Sequence, residues 1–205
     1  MEKITKIGIK LDLHEYVEYL EKLIFDNSIL SPSFQGITFS VSKEQVDFYF
    51  EQITDEITNE LDNIVFSFLD NYETYNLMAM KKLKTKVINS RTDELLLVGY
   101  KYGDIYFPIL PEDQRNYLGL NVAALNQLVT SQEMLTFGEG GIKVKGHDSD
   151  GNTIYHSFVD CGDIINFFMT GMGFVNQTLS SGWELKDQIN NASSIDELNA
   201  IEDNR

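Results

Sequence analysis

The chain has 205 residues, 42% of them apolar, enough length and apolar content to bury a real core in one large domain or two small ones. Sixteen basic against 32 acidic residues give a formal net charge of −16, and a surface of that sign repels phosphate backbones and anionic lipid, so neither nucleic acid nor membrane is expected as a main partner. The single cysteine, Cys161, cannot close an intramolecular disulfide, the N-terminus lacks the apolar core of a secretory signal, and no stretch approaches the roughly 18 apolar residues a membrane helix needs.

Ile7, Ile9 and Leu11 fall on alternate positions, the period of a half-buried strand over residues 4–11. Asp12 with Glu15 forms a capping-box pattern that predicts a helix to about Asp26, with Tyr16, Leu20, Leu23 and Ile24 on its apolar face. Ser31, Pro32 and Ser33 read as a loop, and residues 34–39 as an extended strand or short hairpin. Ser42 with Gln45 is a second capping box, expected to open the longest helix of the protein. Its stripe would be Val46, Phe50, Ile53, Ile57, Leu61, Ile64 and Phe68, which suits a core and also a seam between subunits. A weak internal repeat links residues 34–48 to 102–117, each reading as aromatic, glycine, aromatic and then capped helix.

Residues 75–88 are helical in pattern with lysines exposed. Lys81, Lys82, Lys84, Lys86 and Arg91 form a basic island expected to be a solvated helix face or an intersubunit contact. Thr92 is expected to cap a further short helix with Asp93 and Glu94 in its first turn, ended by Gly99. Residues 100–102 and 105–107 are aromatic-rich runs separated by Gly103 and Asp104, a preferred two-residue hairpin loop. Pro108 stops the second strand, and Pro111 starts a helix to about Gln132, with Glu112 and Asp113 in its first turn and Leu118, Val122, Leu125, Leu128 and Val129 expected inward.

After the break at residues 138–141, residues 142–145 and 153–158 alternate like paired strands. In the loop between them Asp148, Asp150 and Asn152 have the spacing of a calcium loop, but Thr153 stands at its glycine position and Val159 at its glutamate position, so a bare turn is the better reading. Asp160 or Asp163 starts a helix to about Leu179, with Ile164, Phe167, Phe168, Met172 and Val175 on its apolar side. Ser180, Ser181 and Gly182 should break it before another begins at Trp183. Ser194 with Glu197 opens a last short helix with Ile195, Leu198 and Ile201 inward, and residues 202–205 should be exposed. The expected fold class is α+β, mostly helical with short antiparallel β-hairpins, divided into residues 1–87 and 88–205.

Of the histidines His14, His147 and His156, only His156 lies near a plausible nucleophile, Cys161, and a lone cysteine is more often a small buried hydrophobe. Nucleophile-elbow, phosphate-loop, dinucleotide and paired-cysteine motifs are missing. Catalytic residues are therefore expected to be none, cofactor-binding residues none and metal ligands none, with no cofactor, and the chain is not expected to be an enzyme.

Ile88 and Thr92 leading into Val98, Gly99 and Tyr100, then Tyr102, Gly103, Phe107, Gln114 and Asn116, form one motif. Ser181, Gly182, Leu185, Lys186, Ile189, Ala192, Glu197, Leu198, Ile201, Asp203 and Arg205 form another. Together they resemble a family of uncharacterised domains found in virion proteins of tailed bacteriophages, in tail, tail-fibre and baseplate-associated chains, over about residues 88–205. Tyr100 stands where that family often has Phe, and Pro111 where it often has Ser; residues 1–87 match no such pattern. The resemblance implies a non-enzymatic structural or adaptor component of a virion, in the tail, neck or fibre attachment, synthesised in the host cytoplasm. Its implied partners are other virion proteins, in a homo-oligomer or symmetric multi-copy assembly. Two alternatives stay open: a receptor- or glycan-binding module using Tyr100, Tyr102, Tyr106 and Trp183, and a fibre assembly factor absent from the mature particle.

Overall fold

The computed structural model describes residues 1–7, 9 and 14–205. It is an α+β protein, 57% helical, with two antiparallel sheets. The elements run β1 (Glu2–Ile7), α1 (His14–Phe25), β2 (Phe34–Ser40), β3 (Gln45–Phe50), α2 (Asp55–Asp70), α3 (Tyr72–Val98), β4 (Tyr100–Tyr102), β5 (Ile105–Phe107), α4 (Pro111–Thr130), β6 (Ile142–His147), β7 (Thr153–Phe158), α5 (Cys161–Asn191) and α6 (Ile195–Ala200). They form two compact units, Met1–Lys84 with Ala192–Asn199 and Thr85–Asn191 with Ala200–Arg205. A sequence boundary between residues 87 and 88 falls inside α3.

In the first unit β3 is the central strand of the order β1-β3-β2. Val46, Phe48 and Phe50 alternate along it and are fully buried against Tyr16, Leu20 and Ile24 of α1 and Ile57, Leu61 and Phe68 of α2. This corrects the helix expected from Ser42. The spacing of four between Val46 and Phe50 also contains a period of two, and Phe48 decides for it because it too is inside. The opposite face of β3 carries Asp47, whose carboxylate accepts from Thr5 (2.7 Å), Gln45 (2.9 Å) and Lys3 (3.1 Å). The real helix start is Thr54, whose hydroxyl accepts from the Ile57 amide ahead of Asp55 and Glu56. With a strand in place of the capped helix, the proposed internal repeat fails. β1 begins earlier than expected and leaves Ile7 exposed while Ile9 is buried; Leu11 and the capping box at Asp12 lie outside the described residues.

In the second unit the sheet order is β4-β5-β6-β7. The β4–β5 hairpin forms as expected, Tyr100 opposite Phe107 and Tyr102 opposite Ile105, with Gly103 at φ +61° in the loop. Gly99 ends α3 at φ +83°, its amide donating to the Leu95 carbonyl at 2.9 Å. Thr92, however, is no cap: α3 runs unbroken through it, because its hydroxyl donates back to the Ile88 carbonyl at 2.8 Å. α4 starts at Pro111, as expected, but with the wrong face inward. Tyr117, Asn121 and Ala124 are buried, while Leu118, Val122, Leu125, Leu128 and Val129 are exposed.

α5 is a single helix of 31 residues that passes through Ser180, Ser181 and Gly182 without a break. Gly182 is kept for space. A Cβ there would stand 2.9 Å from Nη1 of Arg205 and 3.0 Å from Oγ1 of Thr92. Arg205 is accordingly not a solvated end: it donates to Thr92 (3.0 Å), the carbonyls of Thr178 (3.2 Å) and Ile88 (3.3 Å), and Asp203 (2.7 Å). The last capping box holds, with the Glu197 amide donating to Ser194 at 3.2 Å, while the Glu197 carboxylate reaches Ser193.

At Gly99 a Cβ would fall 1.8 Å from the Phe107 carbonyl oxygen on a backbone that L side chains rarely adopt. Gly99→Ala is therefore expected to lower stability by about 3 kcal/mol or more, whereas Gly138→Ala, which meets nothing within 4 Å, should be near neutral; urea unfolding of both variants checks this.

Candidate functional site

Phe167 of α5 sits among the rings of Phe107 (4.9 Å), Tyr117 (4.9 Å), Phe158 (5.0 Å), Tyr100 (5.3 Å) and Tyr102 (5.4 Å). Beside this cluster lies a polar network. Asp160 accepts from the Asp163 amide at 2.8 Å, which starts α5 and fixes Asp163 in its first turn. The Tyr102 hydroxyl donates to Oδ1 of Asp163 at 2.6 Å, and Nε2 of His156 stands 3.3 Å from Oδ2. Burial, followed by the hydrogen bond to Asp163 and its charge, pushes the Tyr102 phenol up to about 12. His156, weighed in the sequence as a base for Cys161, thus faces a carboxylate, while Cys161 is buried in the apolar cluster. The geometry ties the β4 end and β7 to the start of α5.

The other sequence candidates are also engaged. Asp148 accepts from the amides of Asp150 (2.9 Å) and Asn152 (2.8 Å) and from the Asn152 side chain (3.1 Å), which holds its carboxyl below the ordinary value and makes it the staple of the turn. Among the described residues there is no group of three or more His, Cys, Asp or Glu side chains that could hold a metal ion. In the basic island, Lys82 pairs with Glu18, Lys84 donates to the Leu198 carbonyl at 2.6 Å, and Arg91 reaches Glu94 (3.2 Å) and the Arg205 carbonyl (3.0 Å). Of the aromatic residues considered for a sugar platform, Tyr100 is buried, Tyr102 is bonded to Asp163, and Tyr106 stacks on His147, leaving Trp183 on α5 as the exposed one.

One surface of the second unit differs in kind. Residues 116–132 of α4 and its end, and residues 164–183 of α5, contain no charged side chain, although 23% of the chain is charged. The two helices pack together, and the groove between them is a cleft of about 650 Å³ lined by Ile109, Pro111, Leu118, Phe168, Met172 and Val175, with Gln114 and Arg115 from the start of α4 also in its wall. Leu118, Val122, Leu125 and Val129 follow at helical spacing along α4 and are between 43% and 82% exposed. The charge-free runs are readable in the sequence; the α4 stripe reads there as core because an exposed apolar stripe and a buried one share one periodicity.

Tyr117 and Asn121 on the inward face of α4 each bury a polar atom, the hydroxyl and Oδ1, that has no hydrogen-bond partner among the described residues. Burial holds the Tyr117 phenol well above its ordinary value. Among the described residues no helix is long and apolar enough to cross a membrane. No family model, curated protein or solved structure matches the chain.

Tyr102→Phe removes a donor to a carboxylate and is expected to cost about 2 kcal/mol. Tyr117→Phe removes a hydroxyl without a partner and should be neutral or stabilising by urea unfolding. A second expectation concerns acid. The Arg205 guanidinium holds the Asp203 carboxyl below the ordinary carboxylate value, so this pair contributes stability that is full above the unfolded-state pKa of about 3.9 and is lost as pH falls through the lower folded-state value. Asp203→Asn should therefore be less stable than wild type near neutrality, with the gap closing under acid; unfolding midpoints at about pH 7 and about pH 3 measure it.

Proposed function

We propose that this protein is a non-enzymatic structural or adaptor component of a tailed-bacteriophage virion, in the tail, neck or fibre attachment, acting through protein–protein contacts. The observation that carries the reading is the charge-free α4–α5 surface. An apolar stripe along α4, with Met172 and Trp183 of α5, left in water by an otherwise acidic protein is suited to being covered by another protein. The residues that resemble the phage domain family support it by their roles. Gly99 and Gly103 shape the helix stop and hairpin, Tyr100 and Phe107 feed the aromatic cluster, and Gly182 makes the slot for Arg205. These are scaffold tasks.

The glycan-binding alternative is weakened, since a stacking platform needs several exposed rings and the hairpin aromatics are turned inward or bonded. Mass spectrometry of washed, intact particles is expected to find the chain in near-integer stoichiometry with a tail or neck protein. A chain present in the lysate of infected cells and missing from particles would favour the assembly-factor alternative, and a chain missing from both would remove the reading.

A further inference from the structure

We infer that the α4–α5 face is a self-association surface covered by a second copy of this chain, an inference that rests on the structural reading above and names its partner. The apolar stripe of α4 is Leu118, Val122, Leu125 and Val129, at spacings of four, three and four. That of α5 is Phe168, Met172, Val175, Leu179 and Trp183, at four, three, four and four, with Met172 and Trp183 exposed and the other three half-buried. Both stripes flank or continue from the cleft that Leu118, Phe168, Met172 and Val175 line. The exposed apolar area of the two stripes is on the order of 600 Å², the upper end of what a monomer leaves in one patch. With the Asn, Gln and Thr side chains between them, the face approaches the ~800 Å² per partner that a stable interface buries.

Charge selects the occupant. Two chains that each carry −16 repel one another, and bringing them together on a face containing carboxylates would add desolvation to that repulsion. A face emptied of charge over residues 116–132 and 164–183 removes both costs where contact is made. The charged residue in the cleft lining, Arg115, is a cation, which repels a basic partner and does not repel an acidic one such as a second copy. The face is also self-complementary, as an isologous contact requires: it holds a hollow, the cleft, and exposed apolar side chains, Val129 at 82% and Trp183 at 57%, on the same two helices.

Sedimentation velocity of the full chain tests this. Wild type is expected to run as a dimer or larger oligomer that dissociates on dilution, and added salt should tighten association, because screening relieves the repulsion between acidic chains without touching an uncharged interface. The paired substitution L118E/V122E is expected to weaken association by about 100-fold or more, and M172E alone by about tenfold or more. Both sets of side chains are already 41% to 51% exposed, so far-UV circular dichroism should be unchanged. A wild type that stays monomeric at every concentration and salt level, or an oligomer that keeps its mass in both variants, overturns the inference. If wild type is monomeric but L118E/V122E is lost from particles, the face belongs to a different virion protein. Then the second copy is wrong and the structural role stands. An oligomer sensitive to both variants yet never found in particles supports the second copy and sinks the virion reading.

Discussion

The second unit depends on one ring. Phe167 projects from α5 into a cage whose five aromatic members come from β4, β5, β7 and α4. Three of these contacts, with Phe107, Tyr117 and Tyr102, have interplanar angles between 85° and 89°, the edge-to-face arrangement in which the positive ring edge meets the negative face. The backbone ladder alone would hold the sheet poorly, since the β5–β6 contact is a single register pair, Tyr106 with His147. The two hairpins are joined chiefly because their inward aromatics converge on α5. Gly171, one turn further along, lets the Tyr100 ring lie against the helix, where a Cβ would meet it at 2.9 Å.

This cage explains the rest of the local chemistry. Once Tyr100 and Tyr102 are drawn to α5, their hydroxyls need acceptors, and they find the Phe167 carbonyl and Asp163. The carboxylate of Asp163 is held in place by the cap from Asp160 and is shared with His156. A tyrosine, a carboxylate and a histidine within hydrogen-bonding distance resemble working parts of a catalyst on paper. Here they fasten the three-residue strand β4, through Tyr102, and β7, through His156, to Asp163 in the first turn of a long helix.

What could be read from residues alone was whatever depended on local backbone demands. Gly99, Gly103, Pro108 and Pro111 each admit few conformations, so the helix stop, the hairpin and the start of α4 followed directly. What could not be read depended on partners distant in sequence. Ser42 reads as a cap, but Phe48 is inside with Val46 and Phe50; Thr92 reads as a cap and Ser181 as part of a break, but their hydroxyls bond back into their own helices. Gly182 read as a helix end because nothing in its neighbourhood announces that Arg205 occupies the missing side chain's space. The apolar positions of α4 were found, but the direction they face is decided by Tyr117 and Ala124 docking on α5, which a helical period does not specify. Of the side chains that motif reading weighed, His147, His156 and Asp148 are hydrogen-bonded within the fold and Cys161 is buried in the aromatic cluster.

Charge and apolar surface are segregated in this protein, and the segregation matters for its colloidal behaviour. With a sequence isoelectric point near 4.4, mutual repulsion is strong at neutral pH and fades on mild acidification. The long-range repulsion between chains is then gone, while the exposed apolar side chains of α4 remain. Acidification should therefore favour clumping through these side chains, so dispersal at neutral pH draws on the carboxylates.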